Sequence, residues 1–209
     1  RQRLDAHIAR HAKIPALDVL YAPTLNFFSC SQNTKRVILV HDITFKLFPA
    51  YFTLRQRLWH KLLAPQSQCR AATHIFTPSH NTKRDLIDAY GIAPEKISIL
   101  SPGVSPLFES FAAALPEHQA KLVSAVKNKY HLPERFALFV GTIEPRKNIP
   151  NLLAAFAAAA RKLPPGFKLV IAGAPGWKNE AVYTLAQNSP AKNQLQFLGY
   201  VPAEAKPAL

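Results

Sequence analysis

The sequence predicts an α/β fold with mostly parallel sheets, laid out as two successive series of strands and helices. Short apolar runs with the length of buried strands alternate with stretches of helical period, the order that builds parallel sheets covered by helices. Residues 106–133 hold no clear strand and are punctuated by Pro106, Pro116 and Pro133, and the alternation restarts at Phe136. Over 209 residues, 48% hydrophobic and 18% charged, there is enough apolar material for packed cores in one or two domains. The expected organisation is a first lobe over residues 1–105, a linker region over 106–135 and a second lobe over 136–209.

In the first series, Leu17 to Tyr21 and Val37 to His41 read as buried strands. Leu54 to Ala72 has helical spacing, with Leu58, Leu62 and Leu63 near one face. Pro65 is expected to kink or split this helix, because proline removes a backbone donor and crowds the preceding turn. His74 to Pro78 is the next strand. Ser79 then occupies a helix N-cap position ahead of Asn81 to Tyr90, and Gly91 stands where a helix stops. Lys96 to Leu100 is a further short strand, closed by Ser101-Pro102-Gly103. Gln119 to Tyr130 is a short helix candidate inside the irregular middle. The second series runs strand Phe136 to Val140, turn Gly141 to Pro150, Ala-rich helix Asn151 to Lys162 and strand Lys168 to Ala172. Helix Asn179 to Gln187 and strand Leu195 to Leu198 follow. Three strands are few for a doubly covered parallel sheet, so the second lobe is expected to continue past Leu209.

The net charge is +14, from 26 Lys and Arg against 12 Asp and Glu, spread along the chain without a block of like charges. Nucleic acid, an anionic membrane surface and phosphate-bearing substrates would each complement it, and a solvated basic surface needs no partner at all. No nucleic-acid recognition motif is present and aromatics do not alternate with cations on the strands, so nucleic acid is not an expected partner. No apolar run approaches the roughly 18 residues of a membrane span. Cys30 and Cys69 are far apart and lack CxxC companions, which predicts neither a disulfide framework nor a zinc site and fits a reducing cytoplasm. The histidines show no metal-ligand spacing, and neither metal nor other cofactor is expected. The chain opens on Arg and contains no Met, so the natural start is expected upstream.

Several segments, taken in order, carry a resemblance. They are Val40-His41-Asp42-Ile43-Thr44-Phe45 with Phe48-Pro49 and Tyr51-Phe52, then Pro78-Ser79-His80-Asn81-Thr82-Lys83-Arg84-Asp85-Leu86. Next come Pro94-Glu95-Lys96-Ile97 with Gly103-Val104, and Phe139-Val140-Gly141-Thr142-Ile143-Glu144-Pro145-Arg146-Lys147-Asn148. The series ends with Leu169-Val170-Ile171-Ala172-Gly173, Gly176-Trp177 and Phe197-Leu198-Gly199-Tyr200-Val201. Over residues 17–209 the chain resembles the retaining glycosyltransferases of GT-B architecture, family 4-like, and within them a mannosyltransferase-like subgroup. The resemblance implies two Rossmann-like lobes, both incomplete in this chain. The family's two glutamates at E-x(7)-E spacing would fall beyond Leu209 and its glycine-rich first loop upstream, so the chain is expected to be an internal fragment, inactive alone.

The residues themselves allow an anion site. Arg146 and Lys147 follow a strand and precede a helix, so their side chains and the helix N-terminus can face an anion, although two surface cations beside a strand end read the same way. The resemblance implies that Lys147 contacts the donor diphosphate, with Arg146 as a second cation where Thr142 replaces the arginine found after the turn glycine in many members. It further implies close ligand approach at Gly141 and base contact through Gly199 and Tyr200. His41 would meet the transferred sugar, hydrogen-bonding it or supplying partial charge to an oxocarbenium-like transition state, with Asp42 orienting the ring. Ser79 and Thr82 are either a plain helix cap or cleft-facing ligand groups. The aromatics Phe45, Phe48, Tyr51, Phe52 and Trp59, with Arg55, Arg57, Lys61 and Arg70, are either packing or a membrane-facing or acceptor-side surface. The function implied is metal-independent transfer of a mannose-type sugar from a nucleotide-diphosphate donor to a glycan or lipid-linked acceptor, with retention. The site would be cytoplasmic, with peripheral contact to the inner face of a membrane. The alternative is a truncated, non-catalytic partial scaffold.

Overall fold

The structure is a computed structural model that describes residues 3–209. It forms two compact units, Arg1–Gly103 and Val104–Leu209. Each is an α/β unit around an all-parallel sheet, the double Rossmann-like arrangement of the GT-B class.

The first unit contains α1 (Leu4–Ala12), β1 (Val19–Ala22), β2 (Lys35–Leu39), α2 (Thr44–Leu47), α3 (Leu54–Leu63), α4 (Pro65–Ala71), β3 (His74–Thr77), α5 (His80–Tyr90) and β4 (Ile97–Ile99). The sheet order is β1-β2-β3-β4, with Val37 opposite His74 and Ile75 opposite Ile97. Ile38, Val40, Ile43, Cys69, Ile75, Leu86 and Ile97 pack as one buried core. Pro65 does split the long helical stretch. Ala64 turns left-handed (φ 48°) to close α3, and Pro65 is the first residue of α4, where its missing N–H costs nothing. Thr53 and Gln56 form a reciprocal capping box at the start of α3. Ser79 caps α5 by accepting the Thr82 N–H, and Gly91 ends it at φ +64°.

Two expectations need correction here. Strand β2 ends at Leu39, so His41 lies two residues past it, although the Val40 N–H still donates to the Phe76 carbonyl at 2.9 Å. Leu58, Leu62 and Leu63 do not share a packed face. Leu63 is buried, whereas Leu58 and Leu62 are 58% and 62% exposed. Helix α1 is tied down by Asp5, whose buried carboxylate accepts the Ser31 N–H at 3.0 Å and the Thr34 hydroxyl at 2.7 Å. Hydrogen bonds from Ser31 and Thr34 hold that carboxyl well below the usual carboxylate range, outweighing the cost of burial.

The second unit contains α6 (Pro106–Ala113), α7 (Pro116–Tyr130), β5 (Phe136–Val140), α8 (Ile149–Ala159), β6 (Lys168–Ala172), α9 (Glu180–Gln187) and β7 (Leu195–Gly199). Among the described residues, four 3-10 segments, Pro145–Lys147, Ala160–Lys162, Lys192–Gln194 and Ala203–Ala208, complete it. The sheet order is β5-β6-β7. Ile143, Ile149, Leu153, Phe156, Leu169, Ile171 and Val182 form its core. Residues 106–130, which lack a strand, are almost wholly helical and cluster with this unit. Pro106 and Pro116 are the first residues of α6 and α7, so prolines that look like punctuation in the sequence are helix starts. Pro150 likewise sits inside the first turn of α8, which begins at Ile149 rather than Asn151.

Candidate functional site

Two groups of expected site residues lie past the carboxyl ends of strands, one in each unit. In the first unit His41 and Asp42 are exposed on the connection from β2 to α2. The His41 carbonyl accepts the Thr82 hydroxyl at 3.2 Å, and the Thr82 and Ser79 hydroxyls lie 3.1 Å apart. The N-terminus of α5 therefore fixes the backbone that carries the imidazole. Thr82 is 5% exposed, so this contact is shielded from water. Asp42 Oδ1 accepts the Thr44 N–H at 2.9 Å, which starts α2. The sequence offers Ser79 and Thr82 as a helix cap or as cleft-facing groups; that the Thr82 hydroxyl also holds the His41 carbonyl is a contact over 41 residues of chain.

In the second unit the strand ends are joined through their backbones. Gly141 N–H donates to the Ala172 carbonyl at 2.9 Å, and Gly173 N–H donates to the Gly199 carbonyl at 2.8 Å. A register shift between Ile171 and Ala172 sets Ala172 opposite Gly199. The pairing continues into the loops: Ile143 N–H donates to the Ala174 carbonyl, and Gly176 N–H to the Ile143 carbonyl, each at 3.0 Å. Gly173 admits no side chain, because a Cβ there would stand 1.8 Å from the Gly141 carbonyl oxygen.

On this platform Pro145–Lys147 make a single 3-10 turn, and Asn148 (φ 52°) steers the chain into α8. Arg146 is already engaged. Its Nη2 and Nε lie 2.8 and 2.9 Å from Oε1 of Glu144, whose side chain is 4% exposed, and its guanidinium lies 6.0 Å from the Trp177 ring. Lys147 is exposed, and its Cε lies 3.8 Å from where a Gly141 Cβ would be, so its stem runs along the bare face of that glycine. It makes no ion pair among the described residues. Thr142 is exposed and packs its methyl beside Gly176. Gly199 (φ +70°) has open space beside it, and Tyr200 is exposed. The structure thus places Gly141, Thr142 and Lys147 past the carboxyl end of β5, and Gly199 and Tyr200 at the carboxyl end of β7. Glu144, Gly173 and Trp177, to which the sequence reading gave no site role, support this arrangement.

Both cysteines are free thiols, and burial pushes the Cys69 thiol up to about 11. No group of three His, Cys, Asp or Glu side chains among the described residues forms a metal cradle.

The model of Glycosyltransferase Family 4 matches residues 1–106, and that of Glycosyl transferases group 1 matches residues 124–209. The chain is 25% identical over 185 residues to O-antigen chain mannosyltransferase B of Escherichia coli, covering 88% of this chain and 46% of that protein. It is 29% identical over 132 residues to the serotype-specific mannosyltransferase WbdA of Escherichia coli, covering 62% of this chain and 16% of WbdA. Among solved structures it is similar to Anabaena Alr3699/HepE in complex with UDP-glucose (TM-score 0.60, 18% identity, 98% of this chain and 53% of that one). It is also similar to WaaG, a glycosyltransferase involved in lipopolysaccharide biosynthesis (TM-score 0.62, 16% identity, 96% and 52%). The chain spans about half the length of these structures and less than half of the two curated relatives. With one family model spanning residues 1–106 of its 209, the protein belongs to glycosyltransferase family 4.

Proposed function

We propose that this protein serves in the transfer of a mannose-type sugar from a nucleotide-diphosphate donor to a glycan or lipid-linked acceptor, with retention at the anomeric carbon, on the cytoplasmic side of a membrane. One observation carries the donor reading. Of the two adjacent cations on the strand-end bend, Arg146 is matched by buried Glu144, while Lys147 is exposed, without an ion-pair partner among the described residues, and laid along Gly141. An unmatched cation on a rigid turn at the start of α8 is complementary to a diphosphate. In this reading Lys147 neutralises the leaving diphosphate, while Arg146 acts through Glu144 and holds the bend. Gly199 and Tyr200 border the nucleotide base, and Thr142 lines the entrance. His41 donates a hydrogen bond to the transferred sugar, with Asp42 holding its segment against α2. Family membership, two relatives named as mannosyltransferases and the UDP-glucose complex of HepE support donor class and sugar type.

Isothermal titration of the chain with GDP and with UDP tests the donor seat. Saturable binding of at least one nucleotide is expected, and Lys147→Ala should weaken it about 10- to 100-fold, the worth of one charge-assisted contact. An unchanged Kd in the variant would remove Lys147 from the diphosphate. No saturable binding by either nucleotide would favour a partial scaffold instead.

A further inference from the structure

The solvent face of α3 is apolar where such a face is ordinarily polar. Leu54, Leu58 and Leu62 recur every fourth residue and are 79%, 58% and 62% exposed, while Leu63 points inward and is buried. At about 100° per residue the three leucines form one stripe along the outside of the helix. On the same projection Arg57 and Lys61 flank the stripe on one side, and Arg55 and Trp59 on the other, all exposed. Trp59 meets exposed Phe27 edge-on, with ring centroids 4.9 Å apart, which widens the apolar patch. The Thr53–Gln56 capping box and the left-handed stop at Ala64 hold both ends of the helix, so a formed element presents the stripe.

The charge around it has one sign. No Asp or Glu stands between Asp42 and Asp85, whereas seven Lys or Arg do. A cavity of about 610 Å³ opens along α3, and Lys46, Arg57 and Lys61 line it with no acidic residue in its wall. His60 also lines it. Its ring is stacked on Phe45 at 4.2 Å, and its Nδ1 is buried without a hydrogen-bond partner.

We propose that α3 is the element through which this protein lies on an anionic lipid bilayer. Leu54, Leu58 and Leu62 enter the headgroup–acyl boundary, Trp59 sits at its edge, and Lys46, Arg57 and Lys61 receive lipid phosphates at the cavity. A protein partner fits less well: it would need acids on both sides of an apolar ridge, and interface cores are poor in lysine. An anionic bilayer surrounds the inserted stripe with negative charge on every side. No helix among the described residues is long and apolar enough to cross a membrane, and this contact requires none. The inference deepens the peripheral contact in the reading above but does not depend on the donor seat, since every residue it uses lies in the first unit.

Vesicle co-sedimentation of the chain tests it, using phosphatidylcholine alone or mixed with phosphatidylglycerol. Binding is expected only to the mixed vesicles, with release by salt. Leu54→Ser/Leu58→Ser/Leu62→Ser should weaken it at least about tenfold, and Arg57→Gln/Lys61→Gln should do the same through lost attraction to the headgroups. Because those side chains are exposed, the variants should fold, which an unchanged urea midpoint of the first unit would verify. In a Trp177→Phe background, Trp59 emission should shift to the blue on the mixed vesicles. Wild-type binding by the leucine variant, equal binding to both vesicle types, or no binding at all would overturn the proposal. So would a concentration-dependent dimer that the leucine variant abolishes, because a second copy would then cover the stripe.

Discussion

Replacing Arg146 with alanine should damage stability, whereas replacing its neighbour Lys147 should not. Removal of Arg146 leaves the Glu144 carboxylate, 4% exposed, without the two contacts of 2.8 and 2.9 Å that compensate its charge. Breaking a fully buried ion pair from one side costs about 3–5 kcal/mol. The Arg146 side chain is 32% exposed, so solvent already screens part of the attraction, and about 2 kcal/mol is the expected loss. For a unit of this size that corresponds to a Tm lower by about 8 °C. The two tryptophans fall one in each unit, so a Trp59→Phe background leaves Trp177 as the reporter of the second unit. Thermal unfolding followed through Trp177 should show the loss for Arg146→Ala and a smaller one for Glu144→Gln/Arg146→Ala, where no buried charge is stranded. Lys147→Ala should melt with the parent protein. An Arg146→Ala variant that also melts with it, or a Lys147→Ala variant that loses as much, would refute the division of labour between the two cations.

Three further outcomes follow from the geometry. Gly173→Ala forces a methyl into the Gly141 carbonyl and should cost about 3 kcal/mol, seen as a lower urea midpoint for the second unit; an unshifted midpoint would show that the strand ends can part freely. Asp5 has a folded-state pKa below its unfolded value of about 3.9, so the stability it adds is full above that pH and is lost as pH falls toward the folded value. Urea midpoints of the first unit, read through Trp59, should decline across that acid range, and Asp5→Asn should flatten the decline; parallel pH profiles would exclude Asp5 as its source. Within a longer chain active in transfer, His41→Ala should lower the rate of sugar transfer about 10²- to 10³-fold with little change in donor affinity, and a wild-type rate would discard its place at the reacting centre.

The second sheet was readable because β5 and β6 are continuous apolar runs with glycine or proline punctuation, matching the observed Phe136–Val140 and Lys168–Ala172. Helices α6 and α7 were harder, since proline at a first helical position and proline as a breaker look alike until the following turn is seen to form. Helix α1 depends on Asp5 meeting Ser31 and Thr34, a contact that no local window contains. Periodicity also revealed that α3 has apolar positions, but not which of them the core would cover; Leu63 turned inward and Leu58 and Leu62 did not. At the candidate site the cation pair could be read from Arg146-Lys147. Which of the two stays unmatched depends on the burial of Glu144, and the need for glycine at 173 depends on a backbone 32 residues earlier.

Beyond β5 and β6, the ladder of amide pairs runs on through Ile143, Ala174 and Gly176, where most sheets dissolve into free loops. The bend bearing Lys147 therefore loses its conformational freedom when the chain folds rather than when an anion arrives. Attraction between that ammonium and a phosphate is then not offset by the entropy of organising a loop, and one exposed lysine on a stiff seat can contribute more affinity than several on a slack one.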